Sequence, residues 1–67
     1  MKIGKRINFY RCARDMTNEE LANKLDISVK ELLKYQTDTT VPDIYMALKI
    51  AKIFDISLDE LVGRYDK

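Results

Sequence analysis

This 67-residue chain carries few side chains that could perform covalent or acid–base chemistry. They are two pairs of adjacent acids, Glu19-Glu20 and Asp59-Glu60, and one thiol, Cys12. A catalytic thiol needs a nearby base and a zinc site needs several Cys or His ligands, but the chain has no histidine and no second cysteine. Acids in the first turn of a helix more often complement its dipole. We therefore expect neither an enzyme nor a bound metal or cofactor.

The basic side chains are concentrated at the start of the chain. Residues 1–14 carry a charge of +5 and no acid, whereas residues 15–36 and 37–67 each carry −2. The five cations are Lys2, Lys5, Arg6, Arg11 and Arg14. A basic stripe can be the footprint of nucleic-acid phosphates or simply a solvated helix surface. Charge alone does not choose between these two interpretations.

Three helix-start signals of the form S/T-x-x-E lie at residues 17–20, 28–31 and 57–60. In such a capping box the hydroxyl accepts a hydrogen bond from the amide three residues on, and the glutamate carboxylate accepts one from the amide of the first residue. The first two boxes begin eleven residues apart. That spacing predicts two short helices joined by a tight turn at Asp26-Ile27, the shape with which proteins place a helix in a DNA groove.

The remaining pattern is helical throughout, so we predict an all-α fold with five helices and no strand in a single domain over residues 1–67. Helix 1 ends at Asp15-Met16, a helix-turn-helix spans about residues 17–36, residues 37–42 form a loop, helix 4 starts at Pro42-Asp43, and a short helix 5 stops at Gly63. The predicted core is Leu21, Ala22, Leu25, Leu32, Ile44, Leu48, Ala51 and Leu61.

Several classes of protein are disfavoured by what the sequence lacks. No apolar run approaches the ~20 residues that span a bilayer. The N-terminal charges are not followed by an apolar stretch, so they do not form a signal peptide. A single cysteine gives no internal disulfide. The expected location is the cytoplasm, with no membrane partner.

An ordered set of motifs covers residues 3–63: Ile3-Gly4-Lys5-Arg6-Ile7, Thr17-x-Glu19-Glu20-Leu21-Ala22, Ile27-Ser28, Tyr35, Pro42, Ala51-Lys52 and Ile56-Ser57-Leu58-Asp59-Glu60-Leu61. This set resembles the phage-repressor (Cro and Xre type) helix-turn-helix family. The resemblance implies a five-helix repressor-like domain that binds double-stranded DNA, is usually a homodimer, lays its third helix in the major groove and regulates transcription. No metal or cofactor is implied.

The resemblance also implies which residues meet DNA, namely Asn18, Ser28, Val29, Lys30, Leu33, Lys34, Arg11 and Thr39. At several positions the chain departs from the family. Asn18 stands where a longer Gln usually contacts the DNA backbone. Gln36 stands where the family usually has a glutamate that pairs with an arginine of helix 1. That arginine is Arg11 here, so the expected ion pair becomes at most a hydrogen bond. The loop of residues 37–40 contains no cation.

Two questions remain open at the level of sequence. Val29 and Leu33 are expected to be exposed, and apolar side chains there can contact thymine methyl groups or bind a protein. The alternative function is therefore a repressor-like fold used as a protein-interaction or assembly module. A dimer interface is expected at helix 5 and residues 62–65, while Ile50 and Ile53 with Tyr65 could mark a dimer surface or add to the core.

Overall fold

Four of the helices begin at a polar N-cap residue whose side chain accepts a hydrogen bond from an amide of the first turn: Thr17, Ser28, Asp43 and Ser57. The computed structural model describes residues 3–63, and this part of the chain contains five α-helices and no strand. The helices are α1 (Gly4–Ala13), α2 (Asn18–Leu25), α3 (Val29–Gln36), α4 (Ile44–Phe54) and α5 (Leu58–Val62). The predicted all-α fold and the break at Asp26 are confirmed. None of the described helices is long and apolar enough to cross a membrane.

Two of the three predicted capping boxes form completely. Thr17 with Glu20, and Ser57 with Glu60, exchange both hydrogen bonds at 2.8–3.0 Å. In the third box Ser28 Oγ accepts from the Glu31 amide at 3.1 Å, but the Glu31 side chain instead hydrogen-bonds Tyr35 one turn later. The carboxylate thereby helps to hold the buried tyrosine of α3.

Aspartates occupy every non-glycine left-handed position among the described residues. Asp15, Asp26, Asp38 and Asp55 have φ between 54° and 61°. Asp tolerates this conformation better than most residues other than Gly and Asn. Asp26 and Asp55 are the C-cap residues of α2 and α4, and Asp15 and Asp38 directly follow the C-caps of α1 and α3. The turns after α1 and α2 are thus made without glycine, at Asp15 and Asp26.

The core draws buried side chains from every described helix: Ile3, Ile7, Leu21, Ala22, Leu25, Leu32, Tyr35, Ala47, Ile50, Ala51, Phe54 and Leu61. The prediction was wrong for Ile44 and Leu48, which are 54% and 48% exposed. The only charged side chains of α4 are Lys49 and Lys52, so its apolar side is wider than its buried side, and Ile44 and Leu48 lie on the part that stays exposed. Ile50 is fully buried, so it belongs to the core; Tyr65 lies outside the described residues.

Contacts distant in sequence hold α1 against the helix-turn-helix. Asp38 Oδ1, in the loop after α3, accepts hydrogen bonds from the Ile3 and Gly4 amides at 3.1 and 3.0 Å. It therefore caps α1, whose own N-cap residue provides no side-chain bond. A Cβ on Gly4 would collide with the Gln36 carbonyl, so only glycine allows this approach. The N-terminus of α1 is thus fixed beside the C-terminus of α3.

Candidate nucleic-acid interface

The side of α3 that faces away from the core carries two lysines and two aliphatic residues. Lys30, Leu33 and Lys34 are exposed, and Val29 is half-buried against the edge of the core. Leu32 and Tyr35 fill the inward side. The expected exposure is therefore confirmed for Leu33, at 42%, and only partly met for Val29. We call these four outward residues, with the N-cap Ser28, the α3 face.

A hydrogen bond joins the two ends of the helix-turn-helix beside this face. Gln36 Nε2, at the end of α3, donates to Asn18 Oδ1, at the start of α2, over 2.9 Å. Gln36 thus pairs with Asn18. Gln36 stands where the family usually has a glutamate. Its hydrogen bond orients Asn18, the residue expected to contact the DNA backbone. Sequence reasoning missed this pair, although both side chains can exchange hydrogen bonds.

The guanidinium of Arg11 is engaged inside the domain. Its Nη1 donates to the Met16 carbonyl at 2.6 Å, and its Nη2 donates to Asn8 Oδ1 at 2.8 Å. Its Nε is buried and has no hydrogen-bond partner among the described residues. These contacts fix the turn between α1 and α2. Contact of Arg11 with DNA stays a prediction.

Two other arginines of the basic stripe also make internal contacts. Arg6 Nη1 donates to the carbonyl of Glu60, in α5, at 3.2 Å. Arg14 lies over the rings of Tyr10 and Phe54, 5.6 and 5.8 Å from their centroids. Part of the positive charge at the start of the chain is therefore engaged within the domain. Lys5 remains exposed on α1.

The loop after α3 is ordered by its own polar groups. Thr37 Oγ1 bonds the Leu33 carbonyl at 3.0 Å and lies 2.9 Å from Thr39 Oγ1. The Thr39 amide donates to the Lys34 carbonyl at 2.9 Å. The side chain of Thr39 is exposed next to the end of the α3 face. A loop without a cation is thus held in one shape beside the predicted DNA-facing residues.

Tyr35 anchors α3 from within. Only 7% of it is exposed, and its burial, the nearby carboxylates of Glu31 and Asp43, and the Glu31 hydrogen bond raise the pKa of its phenol above 10.0. The neutral phenol is therefore the form that the fold prefers. Tyr35 and Leu32 together hold the inward side of α3 and so determine which residues form the α3 face.

Comparison with known proteins agrees with this geometry. A family model of the helix-turn-helix domain matches residues 4–67. The chain is 35% identical over 65 residues to the cryptic phage CTXphi transcriptional repressor RstR of Vibrio cholerae, covering 97% of this chain and 58% of that protein. It is 34% identical over 64 residues to the HTH-type transcriptional regulator ImmR of Bacillus subtilis, covering 96% and 50%. The chain spans about half the length of these relatives.

A solved structure is also similar. The crystal structure of SinR, a master regulator for biofilm formation, in complex with DNA matches with a TM-score of 0.81 and 28% sequence identity, covering 90% of this chain and 97% of that chain. The resemblance to phage-repressor helix-turn-helix proteins noted from the sequence is confirmed.

Proposed function

This chain belongs to the helix-turn-helix domain family, and we propose that it is a transcriptional regulator that binds double-stranded DNA at specific sequences. In this proposal α3 enters the major groove, as the recognition helix does in helix-turn-helix proteins. Two relatives are named as transcriptional regulators, and the SinR structure contains DNA. The observation that carries the proposal is the α3 face, which points two lysines and an exposed leucine away from the core.

The proposed contacts divide by chemistry. Lys30 and Lys34 neutralise phosphates or reach base edges, while Val29 and Leu33 contact thymine methyl groups. Ser28, at the start of α3, faces the same groove. Contacts with phosphates fix the position of the protein along the duplex. They come from polar or basic side chains and helix amides that face the DNA backbone, at Asn18, Thr39 and Arg11 or Lys5.

A homodimer is part of the same proposal. One helix-turn-helix reads only a few base pairs, and specific binders commonly pair on half-sites about one helical turn apart. Of the interface expected at helix 5, Val62 is half-buried against the core, and residues 64 and 65 lie outside the described part of the chain. We propose that this regulator acts in the cytoplasm.

The test is the salt dependence of binding to random duplex DNA. We expect affinity to fall steeply with salt, because cations released from the DNA drive phosphate binding. The double variant Lys30→Ala/Lys34→Ala should bind more weakly, with a slope flatter by up to about two units if both lysines contact phosphate. Lys24→Ala is the matched control, since Lys24 is exposed beside Arg14 and Ile53 and is not on the α3 face.

A second candidate function is a protein-interaction or assembly module. The exposed Leu33 and the loop without a cation favour it, because both reduce the usual attraction for DNA. Absence of duplex binding at low salt, together with an assembly broken by Leu33→Ser, would support this function instead.

A further inference from the structure

We propose that two copies of this chain pair about a two-fold axis through the exposed side of α4, with Tyr45 of each copy entering a groove on the other. The inference rests on the proposed function, which already expects a homodimer. It goes beyond that expectation because it moves the contact from the end of the chain to α4.

The first observation is where the exposed apolar side chains lie. Six large hydrophobic residues are exposed in the described part of the chain, and four of them lie close together in sequence, on α4 or just before it. These four, which we call the α4 surface, are Val41, Ile44, Tyr45 and Leu48, with exposures of 52%, 54%, 80% and 48%. Residues three or four apart share one side of a helix, so Ile44, Tyr45 and Leu48 form one stripe.

The second observation is a groove that continues this stripe. It has a volume of about 460 Å³, and its lining residues come from α4, from the turn that follows it and from the first residue of α5: Leu48, Ala51, Lys52, Asp55, Ile56 and Leu58. Ala51 is small and buried, so it leaves room between its larger neighbours. The lining is mainly apolar, which suits an aromatic ring whose hydroxyl remains near the rim.

The stripe and the groove lie on one helix, and their placement indicates that a second copy of this chain fills the groove. A projecting ring precedes the groove by one to three turns along α4, on the same side. Two such helices packed antiparallel about a two-fold axis place each ring over the other copy's groove, which is the self-complementarity of a two-fold interface. Leu48 lies about one turn after Tyr45, at the near end of the groove, so it meets its own counterpart near the axis.

Charge and area also fit a second copy. Lys52 and Asp55 are the charged residues that line the groove, and their charges are opposite, so two identical surfaces do not repel each other. The α4 surface exposes on the order of 400 Å² of side chain, near the largest apolar patches of monomers. Two copies would bury somewhat more than twice that area, which is the size of a weak and reversible interface.

The first experiment measures self-association by sedimentation equilibrium, without DNA, up to high micromolar concentration. We expect the wild-type chain to dimerise weakly and Tyr45→Lys to raise the dissociation constant by about tenfold or more, as loss of an aromatic anchor does. Tyr45 is 80% exposed, so its replacement leaves the core intact. Ile44→Lys is a second variant on the same surface, and Phe9→Ser, at a residue 66% exposed on α1, is the matched control that should still dimerise.

A second measurement tests the geometry. In a Cys12→Ser background, Leu48→Cys should be joined to its own copy by a short bifunctional maleimide, because Leu48 is placed near the axis. Phe9→Cys in the same background should not be joined. Equal cross-linking of the two variants would overturn the antiparallel α4 arrangement.

DNA distinguishes the failure of this inference from the failure of the proposed function. With a selected two-fold site, Tyr45→Lys should lose affinity, but with a single half-site it should bind as the wild type does. Half-site binding weakened to the same degree would mean that Tyr45 contacts DNA, which overturns the inference and leaves the proposed function standing.

A wild-type chain that stays monomeric with and without DNA, or a dimer unaffected by both lysine variants, also overturns the inference. No duplex binding by an intact wild-type dimer would contradict the proposed function alone.

Discussion

Gln36 Nε2 donates a 2.9 Å hydrogen bond to Asn18 Oδ1, which ties the last residue of α3 to the first residue of α2. With its oxygen engaged in this way, the Asn18 amide presents its Nδ2 hydrogens to any acceptor outside the protein. A phosphate is such an acceptor. We therefore predict that Gln36 acts on DNA binding through Asn18.

A double-mutant cycle checks this prediction. Gln36→Met keeps the length of the side chain but removes the donor, and it should weaken binding to a selected duplex by about threefold to tenfold, the effect of losing one hydrogen bond. Asn18→Ala should have a similar effect. The double variant should be no weaker than Asn18→Ala alone. Losses that simply add would show that the two residues act independently, and thermal unfolding of each variant controls for stability.

Leu33 provides a test of base contact. If its exposed side chain meets thymine methyl groups, replacing thymine by uracil in a selected site should weaken wild-type binding by about 1 kcal/mol per lost contact, at the lower end of base-specific effects. Leu33→Ser should bind the two duplexes equally, because it has no aliphatic group to lose. A uracil effect that persists in Leu33→Ser would place the methyl contact on another residue.

The cap of α1 provides a test of stability. Asp38→Gly removes the acceptor for the Ile3 and Gly4 amides, so we expect a loss of about 1–2 kcal/mol in the free energy of unfolding despite relief of the left-handed backbone. Asp26→Gly makes the same change at another left-handed position, φ 60°, where the side chain is exposed after α2. It should be neutral or slightly stabilising. Thermal melts that show equal effects for the two variants would contradict the capping role.

Tyr35 should give the fold a dependence on alkaline pH. Its pKa is raised above 10.0 in the folded chain, so its contribution to stability is complete below pH 10.0 and is lost as the pH rises through the folded pKa. Tyr35→Phe should cost about 1 kcal/mol at neutral pH through loss of the Glu31 hydrogen bond. The wild-type advantage should shrink at alkaline pH, measured by denaturant unfolding. A constant difference across this range would show that the phenol does not titrate differently on folding.

The sequence was sufficient for the helix-turn-helix and its caps, because those interactions are local. Thr17 with Glu20 and Ser57 with Glu60 are three residues apart, and the structure contains both pairs. Glu31 departs from the pattern because a competing partner, Tyr35, lies one turn along the same helix.

The errors concern contacts between distant parts of the chain. The prediction fails for Ile44 and Leu48 because the apolar side of α4 is wider than its buried side. Packing against α1, α2 and α5 turns Ile50 and Phe54 inward and leaves those two residues exposed. The partners of Arg11 and Gln36 likewise depend on how three helices meet. In the candidate interface, the exposed aliphatic residue of α3 followed from its spacing, whereas the orientation of Asn18 required the folded structure.

The long-range bonds of α1 have a consequence for the order of folding. Asp38 reaches Ile3 across 35 positions of sequence, and Arg6 reaches Glu60 across 54. The helix-turn-helix needs only local contacts, so it can assemble quickly, whereas closing such long loops carries a larger entropic cost. During synthesis, α1 must therefore wait until α5 has left the ribosome before it can dock completely.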